Sequence, residues 1–262
     1  MSKEYKNYLK KIKRNKILVI FFQLIILTSI IFIWEFLAQK ELINTFIYSS
    51  PSRILDTIIN LHNTNDLYHH IWVTVYETLI SFSLGTIIGI IIAIILWYSK
   101  LLYKIIDPYL TIINSLPKVS LGPIIIIIFG ANIKSIIIMA LLISVIITTI
   151  NVYNGFNETD TNKINLLKSF NASKSQIFKY IVLPSSYSTI ISSLKINVSM
   201  SLIGVIMGEL LVSKEGIGYL IMYGSQVFNL NLVISGIIIL MIVSYLMYLI
   251  VSYIEKILIK NG

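Results

Sequence analysis

Two charged side chains interrupt long apolar stretches of this sequence, Lys118 and Glu209. A charge at the centre of a membrane helix costs at least about 2.5 to 3.5 kcal/mol on insertion scales, so it usually faces a partner or a cavity. With a rise of about 1.5 Å per residue, Lys118 lies about 20 Å from Lys104, and Glu209 about 20 Å from Lys195. Similar depth allows an ion pair, or two groups lining the outer part of a pathway in which Lys118 attracts anions. The alternative is that both are solvated at a wet interface.

Small residues occur at the spacing that lets helices approach closely. The G-x-x-x-G pairs are Gly204 with Gly208 and Gly85 with Gly89. Asn197 and Ser201 continue the first stripe at helical spacing. We predict close helix packing for this stripe, with lining of a pathway as the alternative; both hold if the stripe lies at the seam between two subunits. The candidate pathway or seam residues are Lys118, Asn197, Ser201, Gly204, Gly208 and Glu209.

Two further carboxylates, Glu35 and Glu77, are expected at membrane interfaces. Trp34, Trp72 and Trp97 lie at the ends of apolar segments, as an aromatic belt would place them.

Patterns of catalytic or metal-binding residues are missing from the sequence. His62, His69 and His70 share one polar stretch without H-E-x-x-H spacing, and there is no cysteine to hold a metal. A phosphate-cradling loop needs a glycine followed by lysine, and no such dipeptide occurs. An intramembrane protease would need histidine or paired carboxylates inside the apolar segments. We predict no catalytic residue, metal or cofactor on this chain, so any nucleotide must be bound by another subunit.

The composition indicates a membrane protein. The chain is 56% hydrophobic and 13% charged, with a mean hydropathy of +0.84. A hydrocarbon core takes roughly 20 apolar helical residues to cross, and backbone in lipid must satisfy its own hydrogen bonds. We therefore predict an all-α, multi-pass bundle of about six transmembrane helices: Ile17 to Leu37, Ile71 to Trp97, Tyr109 to Phe129, Ser135 to Tyr153, Ile191 to Val212 and Leu232 to Ile254.

Basic residues are concentrated in alternate connections of this six-span arrangement. One face receives Lys3, Lys6, Lys10, Lys11, Lys13, Arg14, Lys16, Lys100, Lys104, Lys163, Lys168, Lys174, Lys179, Lys256 and Lys260, and the other only Lys40, Arg53, Lys134 and Lys214. The positive-inside rule makes the first face cytoplasmic, with both termini on it. The net charge of +9 is thus a topology signal and does not indicate nucleic acid. The first apolar segment is longer than a signal-peptide core and lacks a cleavage pattern, which favours a retained span over a secretory signal.

Proline and glycine interrupt the third predicted span. Pro117 and Pro123, the latter directly after Gly122, lack backbone N–H donors and clash with the preceding turn of a helix. We expect either a simple kink against neighbouring helices or a break whose freed carbonyls are satisfied inside the bundle.

The polar stretch from 154 to 188 has the pattern of two helices joined by a sharp turn. Ser173 and Gln176 fit a capping box, and Asn171 suits the left-handed conformation of the turn. Pro184 predicts a helix boundary or kink before the fifth span. A helix, turn and helix on the cytoplasmic face is a shape that can dock another protein.

This loop resembles the signature loop of binding-protein-dependent permeases, whose pattern is E-A-A, three residues, glycine, nine residues and I-x-L-P. Ile181, Leu183 and Pro184 match its end, and Asn171 stands at the spacing of the glycine. Residues 165–167 read N-L-L in place of E-A-A, so no contact is assigned to the missing glutamate. Further motifs in family order extend the resemblance over about residues 48 to 254: PSRILD at 51–56, the segment 74–89, SLPKVSLGP with a later FG at 115–130, and GELLVSKEGIGYLI at 208–221.

These motifs resemble the sulfonate, nitrate and taurine branch of ABC importer permeases. The resemblance implies a membrane-embedded transport subunit that is not an enzyme, paired with a second copy of itself in the bacterial cell membrane. It also implies two copies of a separate ATPase, which hold ATP and Mg, and an extracytoplasmic substrate-binding protein. The implied solute is small and anionic or heterocyclic, such as a sulfonate, taurine or nitrate. A thiamine-pyrimidine-like precursor is the alternative, and a stand-alone secondary transporter is less favoured.

The resemblance assigns ATPase coupling to the loop. The coupling residues are Asn171, Ser173, Lys174, Gln176, Phe178, Ile181, Leu183 and Pro184. The chain then divides into a cytoplasmic basic arm at 1–16, a first span and extracytoplasmic loop at 17–70, a permease domain at 71–254 that includes the loop 154–188, and a cytoplasmic tail at 255–262.

Overall fold

The computed structural model describes the backbone of residues 3–261 and the side chains of residues 12–259. Every regular element in that part of the chain is helical, as predicted. The elements are α1 Lys3–Gln39, α2 Thr45–Tyr48, α3 Pro51–Asn63, α4 Asp66–Tyr98, α5 Lys100–Ser115, a 3-10 turn Lys118–Leu121, α6 Gly122–Phe129, α7 Ile133–Asn157, α8 Thr161–Ser169, α9 Lys174–Ile177, a π turn Phe178–Val182, α10 Leu183–Val212, α11 Ile217–Gln226 and α12 Leu230–Asn261.

Five helical stretches within the described residues are long and apolar enough to cross a membrane. They are Ile12–Gln39, Asp66–Tyr98, Ile133–Asn157, Lys174–Val212 and Leu230–Ile259. A sixth crossing is possible only if the bent pair Lys100–Ser115 and Lys118–Phe129 counts as one span. The prediction of about six spans is confirmed in this form.

The third predicted span, Tyr109 to Phe129, is not a continuous rod. α5 ends at Ser115, and α6 begins at Gly122 with Pro123 in its first turn, where a missing N–H does no harm. The axes of the two halves differ by 93°. The predicted break at Pro117 is confirmed, and a simple kink in one helix is excluded.

The core is formed by α4, α7 and α10, which pack on one another along small side chains. A Cβ at Gly89 would lie 2.6 Å from Cβ of Thr148 on α7, and one at Gly208 would lie 2.9 Å from Cα of Ile136. A Cβ at Gly204 would overlap the backbone of Ala140. Since Cβ atoms do not approach this closely, both glycine pairs permit the helix contact predicted from their spacing.

α12 and α3 close one side of this core. Ser49 donates a hydrogen bond of 2.6 Å to Oδ1 of Asn231, just after α12 begins. Near the other end of α12, Lys195 Nζ and Glu255 Oε2 are 2.8 Å apart in a largely buried ion pair. This pair joins α10 to α12, and no sequence pattern indicated which lysine would be the partner of Glu255.

The terminal segments predicted as a separate arm and tail continue the membrane helices. α1 begins at Lys3, and α12 runs to Asn261. The side chains of Lys3, Lys6, Lys10, Lys11 and Lys260 lie outside the described residues. Glu35 near the end of α1 is partly exposed, as expected at an interface, and its carboxylate accepts the backbone N–H of Ser52 at 3.0 Å.

Candidate functional site

A helical elbow, residues 161–182, projects from the bundle where α4 and α7 end. It consists of α8, a turn, α9 and the π turn. The predicted capping box is present, with Gln176 N–H donating to Ser173 Oγ at 3.3 Å and Ser173 N–H donating to Gln176 Oε1 at 2.7 Å. Asn171 has φ of 55°, the left-handed conformation predicted for the turn. Local sequence therefore determines the shape of the elbow.

The elbow continues into α10 through the π turn, and the regular α-helix resumes at Leu183 with Pro184 in its first turn, in agreement with the predicted boundary. Lys174–Val212 is one helical stretch of 39 residues, so the helix that contains the predicted fifth span begins before Ile191. Proline at 184 lacks an N–H and would clash with the carbonyl of Tyr180 in a regular α-helix. The π turn Phe178–Val182 changes the hydrogen-bond spacing there, so the helix persists. The elbow and α10 therefore form one continuous helical stretch.

Two of the predicted coupling residues anchor the elbow to the bundle. Phe178 is buried, and its ring centroid lies 5.0 Å from that of Trp97 and 5.3 Å from that of Phe156. Lys174 Nζ donates to the main-chain carbonyl of Tyr98 at 2.8 Å. Because Phe178 is buried, its side chain packs inside the chain, and these contacts attach the elbow to the end of α4.

The outer surface of the elbow carries exposed apolar side chains. Phe170 in the turn is 73% exposed, and Leu166, Tyr180 and Leu183 are also exposed. Sequence reasoning missed Phe170, although an aromatic residue directly in a polar turn was a usable signal. Exposed aromatic residues at the centre of a small surface are typical anchors of protein interfaces.

At the opposite end of the core, Glu209 is buried and hydrogen-bonded on both oxygens. It is 1% exposed. Thr74 Oγ1 donates to its Oε1 at 2.6 Å, and Gly218 N–H donates to its Oε2 at 2.6 Å. Thr74 Oγ1 also accepts the N–H of Ile217 at 2.8 Å. The carboxyl group thus joins α4, α10 and the start of α11.

The predicted ion pair between Lys118 and Glu209 is not formed. Lys118 Nζ donates to the main-chain carbonyl and to Oδ1 of Asn114, the latter at 3.2 Å. Glu209 is enclosed by Thr74 and Gly218. Both charges have other partners, so equal depth did not bring them together.

Glu77, expected at an interface, is instead 3% exposed. Its Oε2 is buried and has no hydrogen-bond partner in the protein. A sequence signal for the burial of Glu77 was available, because it belongs to a stripe of small and polar residues along α4. The buried residues of this stripe are Thr74, Glu77, Thr78, Ser81, Gly85 and Gly89.

The polar stripe of α10 also faces the interior of the chain. Asn197 Nδ2 donates to Thr86 Oγ1 at 2.6 Å, and Ser201 is fully buried. Gly204 and Gly208 of the same stripe pack against α7. All of these contacts are within one subunit. A role of the stripe in the pathway or at the seam between two subunits stays a prediction.

The three histidines stabilise the region around residues 62–70 and 215–216. His70 Nδ1 accepts the N–H of Gly216 at 2.9 Å, and His69 Nε2 lies 3.3 Å from Glu215 Oε2. His62 packs against Tyr68. Among the described residues, no three His, Cys, Asp or Glu side chains converge as metal ligands would.

Apolar helices around a polar, closely packed interior, with a rigid elbow at one end, define a multi-pass membrane protein of the transport class. Residues 85–260 match the family described as binding-protein-dependent transport system inner membrane component. The chain belongs to this family, and it is the permease subunit of an ABC importer.

Individual relatives are similar in sequence to this chain over most of their length. A "Probable ABC transporter permease protein" of Haemophilus influenzae is 28% identical over 86% of this chain and 91% of that protein. The "Putative aliphatic sulfonates transport permease protein SsuC" of Bacillus subtilis is 26% identical, over 88% of this chain and 84% of SsuC. The "Formylaminopyrimidine transport permease protein ThiX" of Halalkalibacterium halodurans is 26% identical, over 71% of this chain and 74% of ThiX.

The fold also occurs in a solved transporter. A chain of the MetNI methionine ABC transporter, in inward-facing conformations, has a TM-score of 0.64 and 19% identity, covering 74% of this chain and 97% of that one. This likeness establishes the arrangement of helices.

Proposed function

We propose that two copies of this chain form the pathway of an ATP-driven importer, with two copies of a separate ATPase seated on the helical elbows. The ATPase holds ATP and Mg and carries out the hydrolysis, and an extracytoplasmic binding protein delivers the solute. In this arrangement the elbow and both termini are cytoplasmic, as the positive-inside rule requires.

The observation that carries the proposal is the continuity of the elbow with α10. Lys174–Val212 is one helix, fixed to the end of α4 by Phe178 and Lys174. A load applied at the elbow therefore reaches α7 through Gly204 and Gly208 of α10, and it reaches α4 through the packing of Gly85 and Gly89 on α7. ATP can shift the two access states only by favouring one of them, and a rigid connection transmits that preference.

The solute belongs to the group transported by the branch: an alkanesulfonate, taurine, nitrate or an aminopyrimidine. Support comes from the relatives named for aliphatic sulfonates and for formylaminopyrimidine. Lys118, on the 3-10 turn between α5 and α6, and the α10 stripe remain the proposed pathway residues.

The coupling role is tested by changing Phe170 and Tyr180 to alanine together. Both side chains are exposed on the elbow and can be removed without opening the core. We expect co-purification with the ATPase to fall at least about tenfold, since interface anchors typically contribute 2 kcal/mol or more each. The matched control is Phe228→Ala, because Phe228 is also 73% exposed but follows α11 at the opposite end.

Undiminished association in Phe170→Ala/Tyr180→Ala would contradict the docking surface. The rival function, a stand-alone secondary transporter, has its own readout. It requires solute uptake into vesicles that contain only the purified chain, whereas an importer subunit requires the ATPase and ATP.

A further inference from the structure

A cavity of about 560 Å³ opens at the end of the bundle opposite the elbow. Its walls come from the beginning of α4, the connection before α7 and the segment after α10, including Trp72, Tyr76, Glu77, Asn132 and Glu215. The elbow contacts Tyr98 at the other end of the same α4, which fixes this orientation. If the elbow is cytoplasmic, the cavity opens on the side from which solute arrives.

A buried carboxyl oxygen in the cavity wall has no partner. Glu77 is 3% exposed, and its Oε2 makes no hydrogen bond with the protein. Its neighbour Glu209 is not equivalent, because the oxygens of Glu209 already accept from Thr74 and Gly218. A buried acceptor without a donor is costly. Because Glu77 lines the cavity, its carboxyl group is placed to receive an N–H from a molecule there.

The cavity also has an aromatic wall. The rings of Trp72 and Tyr76 are stacked, with centroids 6.4 Å apart and planes at 28°. Both rings are exposed. The faces of Trp and Tyr rings attract cationic groups and stack on flat rings. Each such interaction contributes about 0.5 to 2 kcal/mol of binding free energy.

The charged side chains in this wall are predominantly acidic, since Glu77 and Glu215 line it beside Lys214. Asn132 Nδ2 donates to the carbonyl of Phe129, so it is already used. Lys214 is the one cationic side chain lining the cavity, and the carboxylate of Glu215 lies beside it in sequence. The charges of the cavity wall favour a solute group that donates an N–H over a sulfonate or nitrate group, because buried polar groups need complementary partners.

We propose that this cavity recognises an amino or ammonium nitrogen of the imported solute, with Glu77 accepting its N–H and with Trp72 and Tyr76 covering its apolar or ring portion. The inference rests on the proposed function and narrows its substrate class. Zwitterionic aminosulfonates and amino-heterocycles fit the cavity, whereas simple alkanesulfonates and nitrate lack the required donor.

Direct binding can be followed through Trp72 itself. The chain has three tryptophans, so Trp34→Phe/Trp97→Phe leaves Trp72 as the sole indole reporter in the cavity wall. Two matched probe pairs differ only by an amino group: taurine against ethanesulfonate, and 4-aminopyrimidine against pyrimidine. We expect the amino member of at least one pair to bind at least about tenfold more tightly, as a charge-assisted hydrogen bond predicts.

Glu77→Leu then removes the acceptor while keeping most of the volume, and it should abolish the preference for the amino member. Glu215→Leu is the control in the same cavity and should leave the preference within about twofold, since Glu215 is exposed and lies near His69. Equal binding within both pairs in the otherwise unaltered protein would overturn the proposal, whether or not Glu77→Leu folds. So would a preference that survives Glu77→Leu.

Uptake by the assembled importer separates this inference from the proposed function. ATP-dependent uptake that ignores the amino group would refute the cavity assignment alone. Absence of ATP-dependent uptake for every probe, combined with a Glu77-dependent preference in binding, would refute the proposed function alone.

Discussion

At the scale of single residues, Glu209 shows how a buried charge can organise three elements. Its carboxyl oxygens accept from Thr74 on α4 and from Gly218 on α11, while Glu209 itself belongs to α10. Thr74 in turn accepts from Ile217. Each bond removes a donor that would otherwise be buried without a partner, and such a donor costs about 1 to 3 kcal/mol.

Thr74→Val tests this network with little change in volume. The variant removes the donor to Glu209 and the acceptor of the Ile217 N–H at once. We expect the free energy of unfolding to fall by about 2 to 4 kcal/mol, because two buried groups lose their partners. Thermal unfolding of the purified protein measures the change.

The control is Thr57→Val, since Thr57 is a partly exposed helical threonine that bonds only to the carbonyl of Arg53 in its own helix. A similar loss in both variants would mean that the helical hydroxyl bond, and not the network, accounts for the effect.

Local residue chemistry was predictable, but residue partners were not. The capping box of Ser173 and Gln176 and the turn at Asn171 depend on neighbours in sequence, and both are present. An ion pair of Lys118 with Glu209 was one of the expectations, because depth can be counted along a helix. Depth does not specify which face of the bundle a residue occupies, so Glu77 was missed as the neighbour of Glu209.

At the scale of elements, the spacing of small residues predicted helix contacts correctly. Gly204 and Gly208 lie against α7, and Gly85 and Gly89 on α4 lie against the same helix. The continuity of the elbow with α10 was not predictable, because Pro184 normally ends a helix. The π turn that accommodates it is stabilised by packing of Phe178 against Trp97 and Phe156, which are distant in sequence.

Gly204→Ala should weaken the contact of α10 with α7. The new Cβ would overlap the backbone of Ala140, which cannot move as a side-chain tip can. We expect a lower thermal unfolding temperature, with a destabilisation of about 1 to 3 kcal/mol from overpacking. Transport should fall with stability, since the same contact transmits movement from the elbow.

Gly236→Ala is the control for helix propensity. Its Cβ would lie 2.7 Å from Cγ1 of Ile221, a side-chain atom that must shift, whereas the atoms met at Gly204 belong to backbone. Alanine favours a helix interior by about 1 kcal/mol over glycine, which offsets part of that cost. A smaller loss of stability than in Gly204→Ala is expected there. Equal stability of Gly204→Ala and the unaltered protein would show that α10 and α7 can separate without cost.

At the scale of the whole molecule, the two ends of the bundle differ in charge and in shape. The end with the elbow also carries Lys100, Lys163, Lys168 and Lys179, whereas the end with the cavity carries Glu77, Glu209 and Glu215 beside few basic residues. The five continuous spans follow from apolar length alone. The 93° bend between α5 and α6 does not, because proline specifies a break while the neighbouring helices set its angle.

This asymmetry predicts the orientation in the cell membrane. Lysine and arginine resist translocation, so the end with the elbow should remain in the cytoplasm. The chain contains no cysteine, and single cysteines can therefore be labelled without background. Ser169→Cys marks the elbow at the end of α8, and Ser213→Cys marks the opposite end after α10. In intact cells, a membrane-impermeant maleimide should label only Ser213→Cys, and in inside-out vesicles only Ser169→Cys. Labelling of Ser169→Cys from outside the cell would place the elbow beyond the reach of a cytoplasmic ATPase. The proposed coupling of the elbow to the ATPase would then be wrong.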